Sequence, residues 1–316
     1  MQYKYMNSTK ATWIVFTSIF LQTQTISAAG SFIERIVEQV KESNITFERS
    51  QSNAPFIPVS FLNFKTYDNT KVESPDGIKF EYDLNFFSQM AILPVYIGEN
   101  DLIGVGDYIS WSNFDLNSPV IGNFEVGSFG LPIGWLRQVN PDWQVVAFTM
   151  PFGHYSTIDS GSWSGQLMSG AFGRYVQSDS LWWGFGIYSD LNPVSSYALP
   201  YICATWTINP EWTLSLILPW PSILYAPNKD WLFSLGVTPS GASWAIGSDD
   251  EKVYFNLNAW DFGFSVERRI HNSIWLAAKT GVGGLRSLRI TGSGIEEPEY
   301  DFDSSWFFGL SLNLRP

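Results

Sequence analysis

The chain has 316 residues and a net charge of −12 at pH 7, with 17% aromatic and only 15% charged residues. That charge excludes a nucleic-acid partner, because phosphate backbones need a basic face. An ordinary soluble domain carries roughly 25% charged residues, so this chain is poorly equipped to cover a water-facing surface, whereas its 15 Trp suit the aromatic girdles of a membrane barrel.

In chain order, Lys4 and Lys10 flank the start of an apolar run over 11–21, and Ser27-Ala28-Ala29 supplies small residues before Gly30. This predicts a secretory signal over 1–29, cleaved near Ala29. No later stretch reaches the roughly 18 uninterrupted apolar residues of a transmembrane helix, so any crossing of a bilayer uses strands. Ser31-Phe-Ile-Glu34 is a capping-box pattern, and Ile33, Ile36, Val37 and Val40 fall at helical spacing. One short amphipathic helix is predicted over 32–41. A polar linker follows and completes an N-terminal segment over 30–77; its apolar interruption at 56–64 is a candidate extra strand.

From Ile78 the period-2 pattern is nearly continuous. It predicts strands at 79–93, 102–114, 121–138, 143–153, 164–177, 181–189, 198–207, 211–219, 231–238, 242–248, 252–270, 273–290 and 303–314. That set is odd, which a barrel with both termini on one side forbids. At roughly ten residues per crossing plus turns, the expectation is about 12 strands, range 10–16. The fold class is all-β, an antiparallel transmembrane β-barrel over 78–316 preceded by the short N-terminal helix.

A phrase repeats three times: Asn140-Pro141-Asp142-Trp143, Asn209-Pro210-Glu211-Trp212 and Asn228-Lys229-Asp230-Trp231. Asn and Asp bend the chain through their own side chains, Pro presets φ, and a strand follows. The faces of those strands separate by chemistry. Trp306, Phe308, Leu310, Leu312 and Leu314 share one side, and Phe307, Gly309, Ser311 and Asn313 share the other. Trp143, Trp182, Trp183, Trp212, Trp231, Trp275 and Trp306 all stand near turns, the height at which indoles meet lipid headgroups.

The segments Leu199-Pro-Tyr-Ile through Trp212, Leu218-Pro-Trp-Pro221, Tyr225-Ala-Pro through Trp231, and Pro239-Ser-Gly-Ala-Ser-Trp244 resemble a family of bacterial outer-membrane β-barrel proteins of unknown function. The resemblance covers about the last two-thirds of the chain and is strongest over 198–247. It implies an outer-membrane location in a Gram-negative-type bacterium and no reaction. One departure is the C-terminus: many barrels end on an aromatic residue, and this chain ends Leu314-Arg315-Pro316.

Chemistry has few places to reside. The two histidines, His154 and His271, are too few for a histidine metal cluster, and there is no phosphate loop or Cys pair. The single Cys203 excludes an internal disulfide and sits in a strand-like stretch as a small packing side chain. In Phe152-Gly-His-Tyr-Ser156, His154 and Ser156 project to one side of a strand, with Asp159 close behind. An imidazole there could take the hydroxyl proton while the acid orients the ring. That spacing is similar to the pattern of outer-membrane lipid A deacylases. Three functional expectations follow: a non-enzymatic outer-membrane barrel, either a narrow passive pore or a structural barrel; a membrane-lipid hydrolase using His154 and Ser156; and a secreted soluble β-protein. The first implies outer-membrane lipids, lipopolysaccharide and the barrel-assembly machinery as partners, and no metal or cofactor.

Overall fold

The computed structural model describes residues 38–39, 42–46, 51–118, 122–158, 161–218, 220–247, 252–292 and 300–315. The chain divides into two units, Met1–Asn44 and Ile45–Pro316. In the first, Glu38, Gln39 and Glu42 are helical and exposed. The rest of the helix predicted over 32–41, and the signal sequence with its cleavage site, lie outside the described residues.

The second unit is made of strands. They are β1 (Ser60–Glu73), β2 (Lys79–Ile97), β3 (Asp101–Asn117), β4 (Phe124–Gly130), β5 (Ile133–Asn140), β6 (Trp143–Ser156), β7 (Ser162–Ser178) and β8 (Leu181–Leu191). Then come β9 (Ser196–Thr207), β10 (Trp212–Ile217), β11 (Ser222–Asn228), β12 (Trp231–Ile246), β13 (Val253–His271), β14 (Ile274–Thr291), β15 (Asp301–Phe302) and β16 (Ser305–Leu314). Sequential strands pair antiparallel, and β1 pairs with both β2 and β16, so the sheet closes on itself. β4 and β5 form one crossing broken at Leu131-Pro132, and both lie between β3 and β6. β15 is a short outer continuation of β16 along β1. Among the described residues the ring therefore has fourteen crossings, two more than the expected 12 and inside the predicted range.

Two crossings lie outside the predicted set. One is β11 (Ser222–Asn228), and the other is β1, which overlaps the candidate extra strand at 56–64 and runs on through the stretch expected as linker. The strands predicted at 231–238 and 242–248 are one, β12. The sequence of β1 hides it in two ways. Its inward side chains include Asn63, Lys65 and Thr70, and a bulge between Tyr67 and Thr70, with Asn69 at φ 51°, breaks the alternation.

The strands are apolar outward and polar inward, the inverse of a soluble barrel. On β16, Trp306, Phe308, Leu310 and Leu312 are exposed while Ser305, Phe307, Ser311 and Asn313 are buried, as the alternation predicts. The same reversal buries Ser88, Ser110, Ser112, Gln144, Asp261 and Glu267 inside the ring.

The two ends differ. At one end the connections are tight turns, and there the Asn-x-Asp/Glu-Trp phrase closes the bend. Asn140 Oδ1 accepts from the Asp142 and Trp143 amides at 2.9 and 3.0 Å, and Asn209 Oδ1 accepts from the Glu211 and Trp212 amides at 2.9 Å each. Asn228 Oδ1 accepts from the Asp230 amide at 2.8 Å. The connections at the other end include stretches longer in sequence, 118–123 and 292–300, whose residues 119–121 and 293–299 lie outside the described ones. Outward aromatics band both levels. Trp143 on Tyr175, Trp183, Trp206, Trp212 on Tyr225 and Trp231 on Phe233 ring the turn end, and Trp163, Trp220 and Trp306 stand at the loop end.

Trp275 and Trp182 depart from their expected place at the interface. On β14 the outward residue is Leu276, so Trp275 points inward and is buried against Ala226 and Leu232. Trp182 shares its face with the buried Gly184 and Asp190, and lies 4.9 Å beneath the Arg174 guanidinium, which binds buried Gln144. Nearness to a turn sets the height of an indole, but strand parity decides its side.

Candidate functional site

Three layers occupy the interior. At the turn end, the segment leading into β1 lies across the mouth of the ring. The Thr46 amide donates to Gln138 Oε1 (3.1 Å), and Gln144 Nε2 donates to the Thr46 carbonyl (2.8 Å). Further along, Ser52 Oγ meets Thr213 Oγ1 at 3.1 Å, the Asn53 amide donates to the Pro210 carbonyl (2.7 Å), and Ala54 packs on Ala226, Leu232 and Trp275. Arg315 donates to the Phe56 carbonyl and, at 2.8 Å, to Glu267. Residues from β5–β6, β10–β11, β12, β14 and the C-terminus thus hold one strap.

Charged and hydroxyl side chains fill the middle of the β1–β13–β14–β16 wall. Asp261, 1% exposed, accepts from the Lys65 ammonium, from the Tyr67 hydroxyl (2.7 Å) and from Ser240 Oγ (3.1 Å). Above it the Arg286 guanidinium donates to Thr70 Oγ1 (2.8 Å), Ser305 Oγ (2.9 Å) and the Tyr82 hydroxyl (3.3 Å). Arg286 reaches the interior because of a bulge. Asn258 faces Ser287 and Trp260 faces Gly284, which leaves Leu285 in the left-handed region at φ 46° and switches the inward residues of β14 from odd to even. Periodicity does not reveal Arg286. The only sequence trace is the interrupted alternation around Gly283-Gly284.

At the loop end the inward side chains become apolar. Phe114 stacks on Phe124 (4.6 Å, 12°) and Trp244 on Phe255 (5.3 Å, 1°), with Trp244 also 5.5 Å from Phe124. β4 and β12 stand on opposite sides of the ring, so the Phe124–Trp244 contact draws facing walls together. Ser156 Oγ donates to the Ala245 carbonyl at 2.6 Å and fastens β6 to the same strand. Beside this contact lies a cavity of about 450 Å³.

His154 and Ser156 both face inward, and the structure does not join them. His154 Nδ1 accepts from Ser128 Oγ (2.8 Å), and Nε2 donates to Gln166 Oε1 (3.0 Å). Gln166 in turn donates to both Asp190 oxygens at 2.8 Å. Both ring nitrogens are occupied, and Ser156 is fully buried with its hydroxyl committed to Ala245. Asp159 lies outside the described residues. The polar set that sequence reasoning missed around His154 comes from β4, β7 and β8, which only strand pairing brings together. Cys203 is free and buried. Among the described residues no three potential metal ligands converge.

A family model described as a domain of unknown function (DUF6268) matches residues 97–315. Among solved structures the chain is similar to a Pseudomonas aeruginosa FadL homologue, with TM-score 0.43, 10% identity, and 87% of this chain and 97% of that chain covered. It is also similar to the P. putida toluene transporter TodX, with TM-score 0.38, 10% identity, and 83% and 91% covered. A third is the translocator domain of the autotransporter NalP from Neisseria meningitidis, with TM-score 0.34, 10% identity, and 94% and 99% covered. No curated protein matches the chain.

Proposed function

The chain belongs to the DUF6268 family, and on that premise we propose that it is a non-enzymatic barrel of the bacterial outer membrane, a narrow passage held shut in the conformation described. The apolar exterior with aromatics at both levels supports the membrane placement, because lipid-facing residues of such barrels alternate with polar lumen residues. Tight turns at one end and longer loops at the other support a periplasmic turn end. On this reading the strap faces the periplasm, the loops meet lipopolysaccharide, and the barrel-assembly machinery inserts the chain. The observation that carries the closed bore is the contact of Trp244 with Phe124 across the ring. The hydrolase reading lacks a comparable support, since His154 and Ser156 bond to other groups.

The test is planar-bilayer recording of the refolded, mature protein, with heat-modifiable gel mobility as proof of folding. The expected trace is silent for folded, inserted protein. Discrete conductance steps from the unmodified chain would overturn the closed bore. Recovery of the protein from the periplasm or medium without detergent would overturn the membrane placement.

A further inference from the structure

We propose that the loop-end cavity is a binding site for an uncharged, largely aromatic small molecule. Below the level of Arg286 the inward faces of β1, β13 and β16 carry Lys65, Asp261, Glu267, Ser311 and Asn313 beside Tyr67 and Phe307; above it the lining is apolar, with Phe80, Phe114, Phe124, Trp244, Phe255 and Leu257 around the space. The change is built by two bulges, one on β1 and one on β14. Past Asn69 the inward residues of β1 switch from Lys65 and Tyr67 to Thr70 and Val72, and past Leu285 those of β14 switch to Arg286 and Leu288. Thr70 and Arg286, the first residue inward after each bulge, bond to one another at 2.8 Å.

Both bulges rest on a non-glycine residue at positive φ, Asn69 at 51° and Leu285 at 46°. A left-handed leucine is strained, and such strain persists only where the surroundings over-determine it. Here it holds an apolar set over a polar floor. Interiors normally pack to crystal density, yet about 450 Å³ stays open, within the size range of small-molecule pockets. The stacked pairs Phe114–Phe124 and Trp244–Phe255 line the space, and aromatic rings favour offset or edge contacts with a further planar ring. Among the described lining residues none carries a charge, so a charged ligand would be desolvated without a partner. Arg286 is screened from the cavity by Tyr82, whose hydroxyl accepts its bond. The site shares Phe124 and Trp244 with the contact that shuts the bore, so it rests on the closed conformation proposed above.

The probe is benzophenone, photoactivated against the full mature chain in phosphatidylcholine nanodiscs and mapped by peptide mass spectrometry. Saturable labelling is expected within 80–82, 114–116, 122–124, 244–246 and 255–257, suppressed at least tenfold by excess naphthalene. Labelling of the lipid-facing 306–312 should rise linearly with probe and resist the competitor. Leu257→Trp and, separately, Ile246→Trp should fill the space and abolish only the saturable component. The naphthalene competition decides the matter even where a variant fails to insert. Labelling confined to lipid-facing residues, or cavity labelling that naphthalene does not displace, would overturn the site. 4-Benzoylbenzoate labelling the cavity as well as benzophenone does would overturn the preference for an uncharged ligand. A conducting wild-type barrel would refute the closed bore, whereas loss of saturable, naphthalene-displaced labelling in a silent barrel would refute the site alone.

Discussion

Asp261→Ala should cost the folded barrel about 3–5 kcal/mol, most of it from the charge it leaves behind. Asp261 is 1% exposed and accepts three hydrogen bonds, from the Lys65 ammonium and from the Tyr67 and Ser240 hydroxyls. The two neutral bonds account for about 1 kcal/mol each. The remainder is the Lys65 ammonium, 12% exposed, losing its counter-charge. Its position 5.2 Å from the Phe307 ring and 5.7 Å from the Tyr67 ring returns about 0.5–2 kcal/mol as cation–π attraction, which places the expected value near the lower end of the range. Lys65→Met combined with Asp261→Ala removes both charges and should cost only about 1–2 kcal/mol, less than Asp261→Ala alone. Urea titration of the protein refolded into short-chain phosphatidylcholine vesicles, followed by tryptophan fluorescence, measures each value by linear extrapolation. A single-variant cost below about 1 kcal/mol, or a double variant equal to the sum of the singles, would refute the reasoning. It would show a mid-lumen wet enough to solvate Lys65 alone.

Other outcomes follow from the same geometry. Ser52→Cys with Thr213→Cys should form a disulfide on mild oxidation, because the two hydroxyl oxygens are 3.1 Å apart; a gel without a reductant-sensitive mobility shift would count against the seated strap. Leu310→Arg, in the outward row of β16, should destabilise insertion by about 2–4 kcal/mol if that row faces hydrocarbon, and unchanged folding yield in vesicles would contradict the placement. Ser156→Ala should leave any lipid-hydrolysis signal at its wild-type level and cost about 1–3 kcal/mol by stranding the Ala245 carbonyl; hydrolysis that disappears with the Ser156 hydroxyl would restore the catalytic reading. Leu285→Gly relieves the left-handed backbone at a side chain that packs little, and should be neutral to stabilising by about 1 kcal/mol, to be read from the same urea midpoints.

The barrel class was legible in the sequence because period-2 alternation and turn chemistry are local. The Asn209-Pro210-Glu211-Trp212 turn closes as its residues predict, and β16 keeps its two faces without exception. What was hidden depends on neighbours distant in sequence. The apolar start of β1 stood out as a candidate strand at 56–64, but its second half was obscured by the polar side chains it sends inward and by a bulge. Both make sense only once β16 and β2 flank it, and the short β11 was missed altogether. The aromatic cavity was invisible for a related reason. Phe114, Phe124, Trp244 and Phe255 look like any barrel aromatics until strand parity turns them inward and ring closure brings β4 against β12. His154 attracted attention through the nearby Ser156, yet its partners Ser128 and Gln166 come from the adjoining strands.

The ladder between β1 and β16 carries a consequence for how the molecule forms. At Tyr67–Phe307 it joins residues 240 positions apart. Such non-local pairing is slow, and until it happens the sheet keeps two bare edges able to recruit foreign strands. Arg315 follows directly on the last strand and holds the Phe56 carbonyl just ahead of the first. A chain stalled one strand short would therefore show an unprotected edge and a protease-accessible strap together, and both would vanish in a single step when the ring shuts.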